Sequence, residues 1–228
     1  MGMAMLKIPG RLQDSLQSMC RDTGNLQYCV SAGVVEISMA AEGKTEGQQE
    51  VLRKLMPLFR EGCAENIAWS CLLWGEGLNA KQPAGDPSRM FSAMKKACEL
   101  GLSEGCAQVG KLYYDGIGVE VDPNLAERHL QWACDRTNVR ACTNLGTVLG
   151  HKALRTQDPE MGRKAYGVLQ NTCSWMKSGV ACHHLSEMLW TGLPGVNRDP
   201  ESSRKYLKMA CDLGQQQACE KPRSPSTR

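Results

Sequence analysis

Twelve of the 228 residues are cysteine, and thiols at that density have three chemistries open to them: disulfide formation, metal ligation and nucleophilic catalysis. In chain order they read Cys20 and Cys29, Cys63 and Cys71, Cys98 and Cys106, Cys134 and Cys142, Cys173 and Cys182, Cys211 and Cys219, six couples with seven or eight residues between partners. None is left over, which fits complete pairing in an oxidising compartment. Metal ligation is disfavoured because no Cys-x-x-Cys occurs and the observed spacing spans two helices instead of one knuckle. A thiol catalyst needs an unpaired, activated sulfur, and full pairing provides none.

Three other constellations could carry chemistry. Ser92-Ala93-Met94-Lys95, Ser174-Trp175-Met176-Lys177 and Ser202-Ser203-Arg204-Lys205 each match the Ser-x-x-Lys of penicillin-recognising enzymes. The companion Ser-Asp-Asn and Lys-Thr-Gly elements are missing, and a Ser/Lys pair on a helix ordinarily faces solvent. Gly43-Lys44-Thr45 resembles the end of a phosphate loop, but Ser38 stands where the first glycine belongs, so a plain turn is expected. His183 and Glu187 are four apart on a predicted helix, with His184 beside them, a spacing that can place ligands on one face. A solvated polar face has the same pattern. His151 and His129 stand apart from them, and most of the twelve methionines read as core filler.

The elements that must position these residues follow from the cysteine period. Successive first cysteines are 43, 35, 36, 39 and 38 residues apart, the range of two-helix solenoid repeats. Asp-Pro keeps the same beat at Asp86-Pro87, Asp122-Pro123, Asp158-Pro159 and Asp199-Pro200. Aspartate at an N-cap accepts a backbone N–H, and proline at the first helical position presets φ where its missing N–H is not needed. The first cysteine follows the Asp by twelve residues in three repeats and by fifteen after Asp158, so that helix should be about one turn longer. Gly101 and Gly214 then stand where a helix C-terminus calls for a left-handed residue.

A second helix starts near the second cysteine and closes in a glycine turn, Gly116-Ile117-Gly118-Val119 or Gly192-Leu193-Pro194-Gly195-Val196. Two antiparallel helix ends on so short a connection can bring Cα atoms within the roughly 4.4–6.8 Å that a disulfide needs, and neighbouring cysteines are therefore expected to pair. Two stretches depart from the pattern. The first repeat lacks Asp-Pro and carries Pro57 inside its expected helix, and the fourth offers Gly150-His151-Lys152 in place of a glycine loop.

Composition agrees with an all-α chain: aromatic residues are 5% of the total, and helix formers dominate over β-branched and aromatic residues. A net charge of +3 excludes the basic excess of a nucleic-acid binder. Residues 1–19 hold Lys7 and Arg11 without an unbroken apolar run of seven, and no apolar stretch reaches the length of a membrane span. For a chain that begins at Met1, neither export nor a membrane span is then expected. Gly2 lacks the serine or threonine that a myristoylation signal places where Leu6 stands. Lys221–Arg228 is polar and rich in Pro and Ser, hence disordered by composition.

The run Cys106, Gly110, Tyr113, Gly116, Gly118, Val119, Asp122, Ala133 and Cys134 resembles the cysteine-rich Sel1-like repeat, and the cysteine couples supply further copies. Within that family the stretch from Leu185 through Gly195, Tyr206 and Cys211-Asp212-Leu213-Gly214 to Cys219 is most similar to assembly factors of cytochrome c oxidase in the mitochondrial intermembrane space. The resemblance implies a right-handed α/α superhelical solenoid related to tetratricopeptide repeats. It would comprise an N-terminal segment at 1–19, about five repeats plus caps at 20–219, and a tail at 220–228. It further implies a non-enzymatic monomer that requires no cofactor, is imported through a disulfide relay, and has respiratory-chain subunits or other assembly factors as partners. Haem association goes with those factors and would call on His or Met axial ligands, for which His183, His184 and His151 are candidates without a selected pair. The alternative is a bacterial cysteine-rich Sel1 protein, periplasmic or secreted, with penicillin-binding or weak β-lactamase activity.

Overall fold

The structure, a computed structural model, describes residues 10–41, 48–78 and 85–219. Every regular element among them is a helix: α1 (Gly10–Thr23), α2 (Leu26–Ala41), α3 (Gln48–Ala64), α4 (Ala68–Gly77), α5 (Pro87–Glu99), α6 (Ser103–Asp115), α7 (Pro123–Cys134), α8 (Val139–Thr156), α9 (Pro159–Ser174), α10 (Gly179–Thr191), α11 (Pro200–Asp212) and α12 (Gln216–Cys219). The helices pair as hairpins, α1 with α2 through α11 with α12, and each hairpin corner is closed by a disulfide between neighbouring cysteines. The chain forms two compact units, Gly2–Val121 and Asp122–Arg228.

In the N-terminal unit, Val30, Ile37, Val51, Phe59 and Leu73 pack into one apolar cluster. Met90, Met94, Val109 and Leu112 pack into another, which takes in the Cys63–Cys71 bridge itself. The bridge is thus core as well as clamp. Phe91 meets Tyr113 edge-on at 5.1 Å, tying α5 to α6. In the C-terminal unit the core consists of leucines set among alanines: Leu130, Leu145, Leu149, Leu169 and Leu185 are at most 1% exposed. A Cβ at Gly146 would lie 2.5 Å from Leu169 Cγ, so α8 and α9 approach as closely as they do because position 146 has no side chain.

The Asp-Pro residues start helices through direct bonds. Asp86 accepts from the backbone N–H of Arg89, Asp122 from Asn124 and Leu125, Asp158 from Glu160 and Met161, and Asp199 from Glu201 and Ser202. The glycine loops have a job beyond turning. Gly118 (φ 74) and Gly195 (φ 80) each lie so close to an Asp-Pro start that a Cβ would come 2.0 Å from the carbonyl oxygen of Pro87 and Pro159 respectively. Each loop therefore seats on the first turn of the helix that opened its own hairpin.

Three stretches depart from the regular repeat. Helix α1 begins at Gly10 and runs through Cys20 to Thr23 without an Asp-Pro start. Pro57 leaves α3 unbroken; Pro57 and Arg53, whose carbonyl loses its partner, are both exposed, where water can replace the bond. Gly150-His151-Lys152 is helical: α8 continues to Thr156 and stops at Gln157 in the left-handed region (φ 55), so extra helix replaces the glycine loop. Gly43-Lys44-Thr45 and the tail lie outside the described residues.

Candidate functional site

The hairpin corners are the most strongly patterned feature of the molecule. At all six, the cysteine Cα atoms lie 4.5–4.8 Å apart with seven or eight residues between them, and at the last five the residue before each cysteine is small: Gly62 and Ser70, Ala97 and Gly105, Ala133 and Ala141, Thr172 and Ala181, Ala210 and Ala218. The reason is steric. A Cβ at Gly105 would lie 2.7 Å from the backbone nitrogen of Cys98, and one at Gly62 would lie 2.3 Å from Ser70 Oγ. Each corner also contains one residue with positive φ: Gly24, Asn66, Gly101, Thr137, Lys177 or Gly214. Glycine, and more weakly asparagine, favours this conformation, whereas Thr137 and Lys177 carry no such signal.

The three Ser-x-x-Lys stretches do not build a nucleophile. Ser92 donates to the backbone oxygen of Ser88, and Lys95 lies 3.8 Å from Glu99; both Ser92 and Lys95 face solvent. Ser174 is the last residue of α9 while Lys177 lies in the corner, off any helix. Ser202 sits in the first turn of α11, its N–H on Asp199, and Lys205 is exposed.

Helix α10 carries the histidine cluster. Glu187 Oε2 lies 3.3 Å from Nδ1 of His184 and 3.8 Å from Nδ1 of His183. His184 and Glu187 border a depression of about 170 Å³ in the C-terminal unit, whose other residues include His151 and Leu154 from α8, Gly146, Gly150 and Met188. The structure thus brings His151 and His184 to one depression, where the sequence shows no relation between them. Ligand pockets that bury a drug-sized group run to roughly 300–1,000 Å³, so this depression is smaller than such pockets. A second depression, about 290 Å³, lies in the N-terminal unit against Leu16, Val30, Val34, Ile67 and Trp69 and is chiefly apolar. Elsewhere in the C-terminal unit Gln170 Nε2 donates to the hydroxyls of Tyr166 (3.2 Å) and Tyr206 (3.3 Å). Burial, then the neighbouring Tyr206, raises the Tyr166 phenol above its ordinary range. Trp175, capping α9, is 84% exposed.

Among the described residues, no helix is long and apolar enough to cross a membrane. Residues 103–138 and 179–215 match the Sel1 repeat model; each match starts at a second hairpin helix and runs through its glycine loop and the following Asp-Pro helix. Proteins from two Helicobacter pylori strains, named as the candidate β-lactamase HcpE, are 39% identical over 57 residues, 22% of this chain. The matched part is 16% of those relatives' own length. Among solved structures, c5321, a protective antigen of uropathogenic Escherichia coli with an SLR fold, superposes with a TM-score of 0.65 at 18% identity, over 90% of this chain and 42% of that one. A Sel1 repeat protein from Oxalobacter formigenes gives 0.62 at 13% identity, over 88% and 84%. Residues 103–138 and 179–215 thus match the Sel1 repeat, and the helical fold is shared with the SLR-fold antigen along nine tenths of the chain.

Proposed function

We propose that this chain is a disulfide-rigidified helical scaffold that binds a protein partner in an oxidising compartment. The carrying observation is that all twelve cysteines are used in six corner clamps, which ties folding to oxidation and leaves no thiol for catalysis. Apolar groups suited to a partner are at hand: Trp175 at 84% exposure, Val180 and Leu213 on neighbouring corners of the C-terminal unit, and the apolar depression beside Trp69. Aromatic side chains held on a rigid frame are favourable anchors for association because little conformational freedom is lost when they are covered.

In its finer form the reading is an assembly factor for cytochrome c oxidase in the mitochondrial intermembrane space, supported by the likeness of residues 185–219 to such factors. Its partners would be respiratory-chain subunits or other assembly factors. Deleting the gene should then lower cytochrome oxidase activity before other respiratory activities, and an oxidised Trp175→Ala chain should recover less of that enzyme's subunits than wild type from mitochondrial extract. Unchanged respiration in the deletion line would refute the assignment.

A second reading is an exported bacterial-type protein with penicillin-binding or weak β-lactamase activity. The match to HcpE favours it, and the relatives named above are bacterial proteins. The Ser-x-x-Lys geometry supplies it with no activated nucleophile. Nitrocefin turnover that disappears in Ser92→Ala would support this activity; absence of turnover in the wild type would remove it.

A further inference from the structure

We propose that His183, His184 and Glu187 form a mononuclear site for a borderline divalent transition-metal ion, of the class of Zn²⁺ or Cu²⁺. One donor atom from each of the three lies within 4.8 Å of the others. On a helix, residues three and four apart are neighbours, so Glu187 is reached by both histidines at once, His183 from i−4 and His184 from i−3. A tetrahedral ion with bonds of about 2.0–2.2 Å holds its donors roughly 3.3–3.6 Å apart. The two Glu187–imidazole separations, 3.3 and 3.8 Å, nearly meet that spacing without movement of the backbone. Two imidazoles and one carboxylate select borderline ions over Mg²⁺ and Ca²⁺, which take all-oxygen shells.

The supporting structure is rigid where it matters. His183 directly follows Cys182, whose bridge to Cys173 fixes the start of α10, and Ser178 caps that start by accepting from the N–H of Ala181. Three protein ligands are the number found in open sites, with water in the fourth position. His184 and Glu187 border the depression between α8 and α10, where Gly146 and Gly150 leave room for a water or small anion on the ion. A plain histidine–glutamate ion pair on a solvated helix would show the same distances but no saturable metal uptake.

Calorimetric titration of Zn²⁺ into the full oxidised chain tests the proposal. It should show one ion per chain, no comparable uptake of Mg²⁺, and d–d bands when Co²⁺ replaces Zn²⁺. Glu187→Gln and His183→Ala should each weaken binding at least about tenfold, while His129→Gln leaves it unchanged. Glu187 is 61% exposed, so its amide variant should keep the fold, which circular dichroism checks for every variant. Lack of saturable one-to-one uptake by the wild type, or equal affinity in a His183→Ala/His184→Ala double variant, would overturn it.

Discussion

At the scale of single residues, the corners show which part of the structure was legible. Cysteine spacing pointed to neighbour pairing because two helices cannot part far over so short a connection. The left-handed corner residues were read from the sequence at Gly101 and Gly214, where glycine marks a helix end. Thr137 (φ 60) and Lys177 (φ 55) take the same conformation, imposed by the clamp against their own preference. For a β-branched residue this conformation costs about 1–2 kcal/mol, of which Gly replacement would recover part after its own entropic cost. Thr137→Gly should therefore raise stability by about 0.5–1 kcal/mol, read as a higher denaturation midpoint of the oxidised protein; a lower midpoint would mean that the corner does not hold Thr137 in the left-handed region. Glycines with positive φ are separable in the same way. Gly214→Ala meets nothing within 4 Å, whereas Gly195→Ala would place a Cβ 2.0 Å from the Pro159 carbonyl oxygen. Both carry the conformational cost of a side chain at positive φ, and only Gly195→Ala must also push a helix start away from its loop. Its loss of stability should exceed that of Gly214→Ala by more than about 1 kcal/mol. Equal losses would remove the role given to the loop.

At the scale of elements, the Asp-Pro signal was readable because capping is local: the acceptor and the orphan N–H groups are within three residues of each other. What replaced the fourth glycine loop was not readable, since the choice between loop and further helix depends on what α8 packs against. Leu149 and Ala153 are both fully buried, so helix across Gly150-His151-Lys152 keeps an apolar stripe that a loop would interrupt. Asp122→Ala removes an acceptor bonded to two N–H groups at 2.9 Å each and should cost about 1 kcal/mol; an unchanged midpoint would show that α7 needs no cap. Asp199 has a pH signature as well. The Ser202 side chain, then backbone N–H groups of Ser202 and Glu201, hold its carboxyl below the usual 3.8. A carboxylate whose folded pKa is depressed contributes stability that is present above its unfolded pKa and is lost as pH falls through the folded value. The melting temperature of wild type should thus fall below about pH 4 more steeply than that of Asp199→Asn. Parallel pH profiles would contradict the cap.

At the scale of the whole molecule, the prediction is that redox state controls folding. Closing each small loop is worth about 2.5 kcal/mol in the loop-entropy model, against about 5–15 kcal/mol for the stability of a typical domain. The fully reduced chain should accordingly lose most of its helical circular dichroism, and a chain that stays helical and equally heat-stable with all thiols free would disprove the coupling. The order of reduction follows from exposure, because thiol–disulfide exchange requires access of the attacking thiolate to a sulfur. Cys219 is exposed and Cys211 half-buried, while Cys20 and Cys29 are both half-buried. Cys63, Cys71, Cys173 and Cys182 are at most 2% exposed, and attack on those bridges must await local opening of the core they belong to. Graded reduction followed by alkylation and peptide mapping should therefore release Cys211–Cys219 first, Cys20–Cys29 next, and Cys63–Cys71 and Cys173–Cys182 last. Helicity should survive the first step, since α12 is only four residues long, and collapse with the buried bridges. Release of a buried bridge before Cys211–Cys219, or loss of all helix at the first reduction, would show that the hairpins do not open independently and that exposure does not set the order.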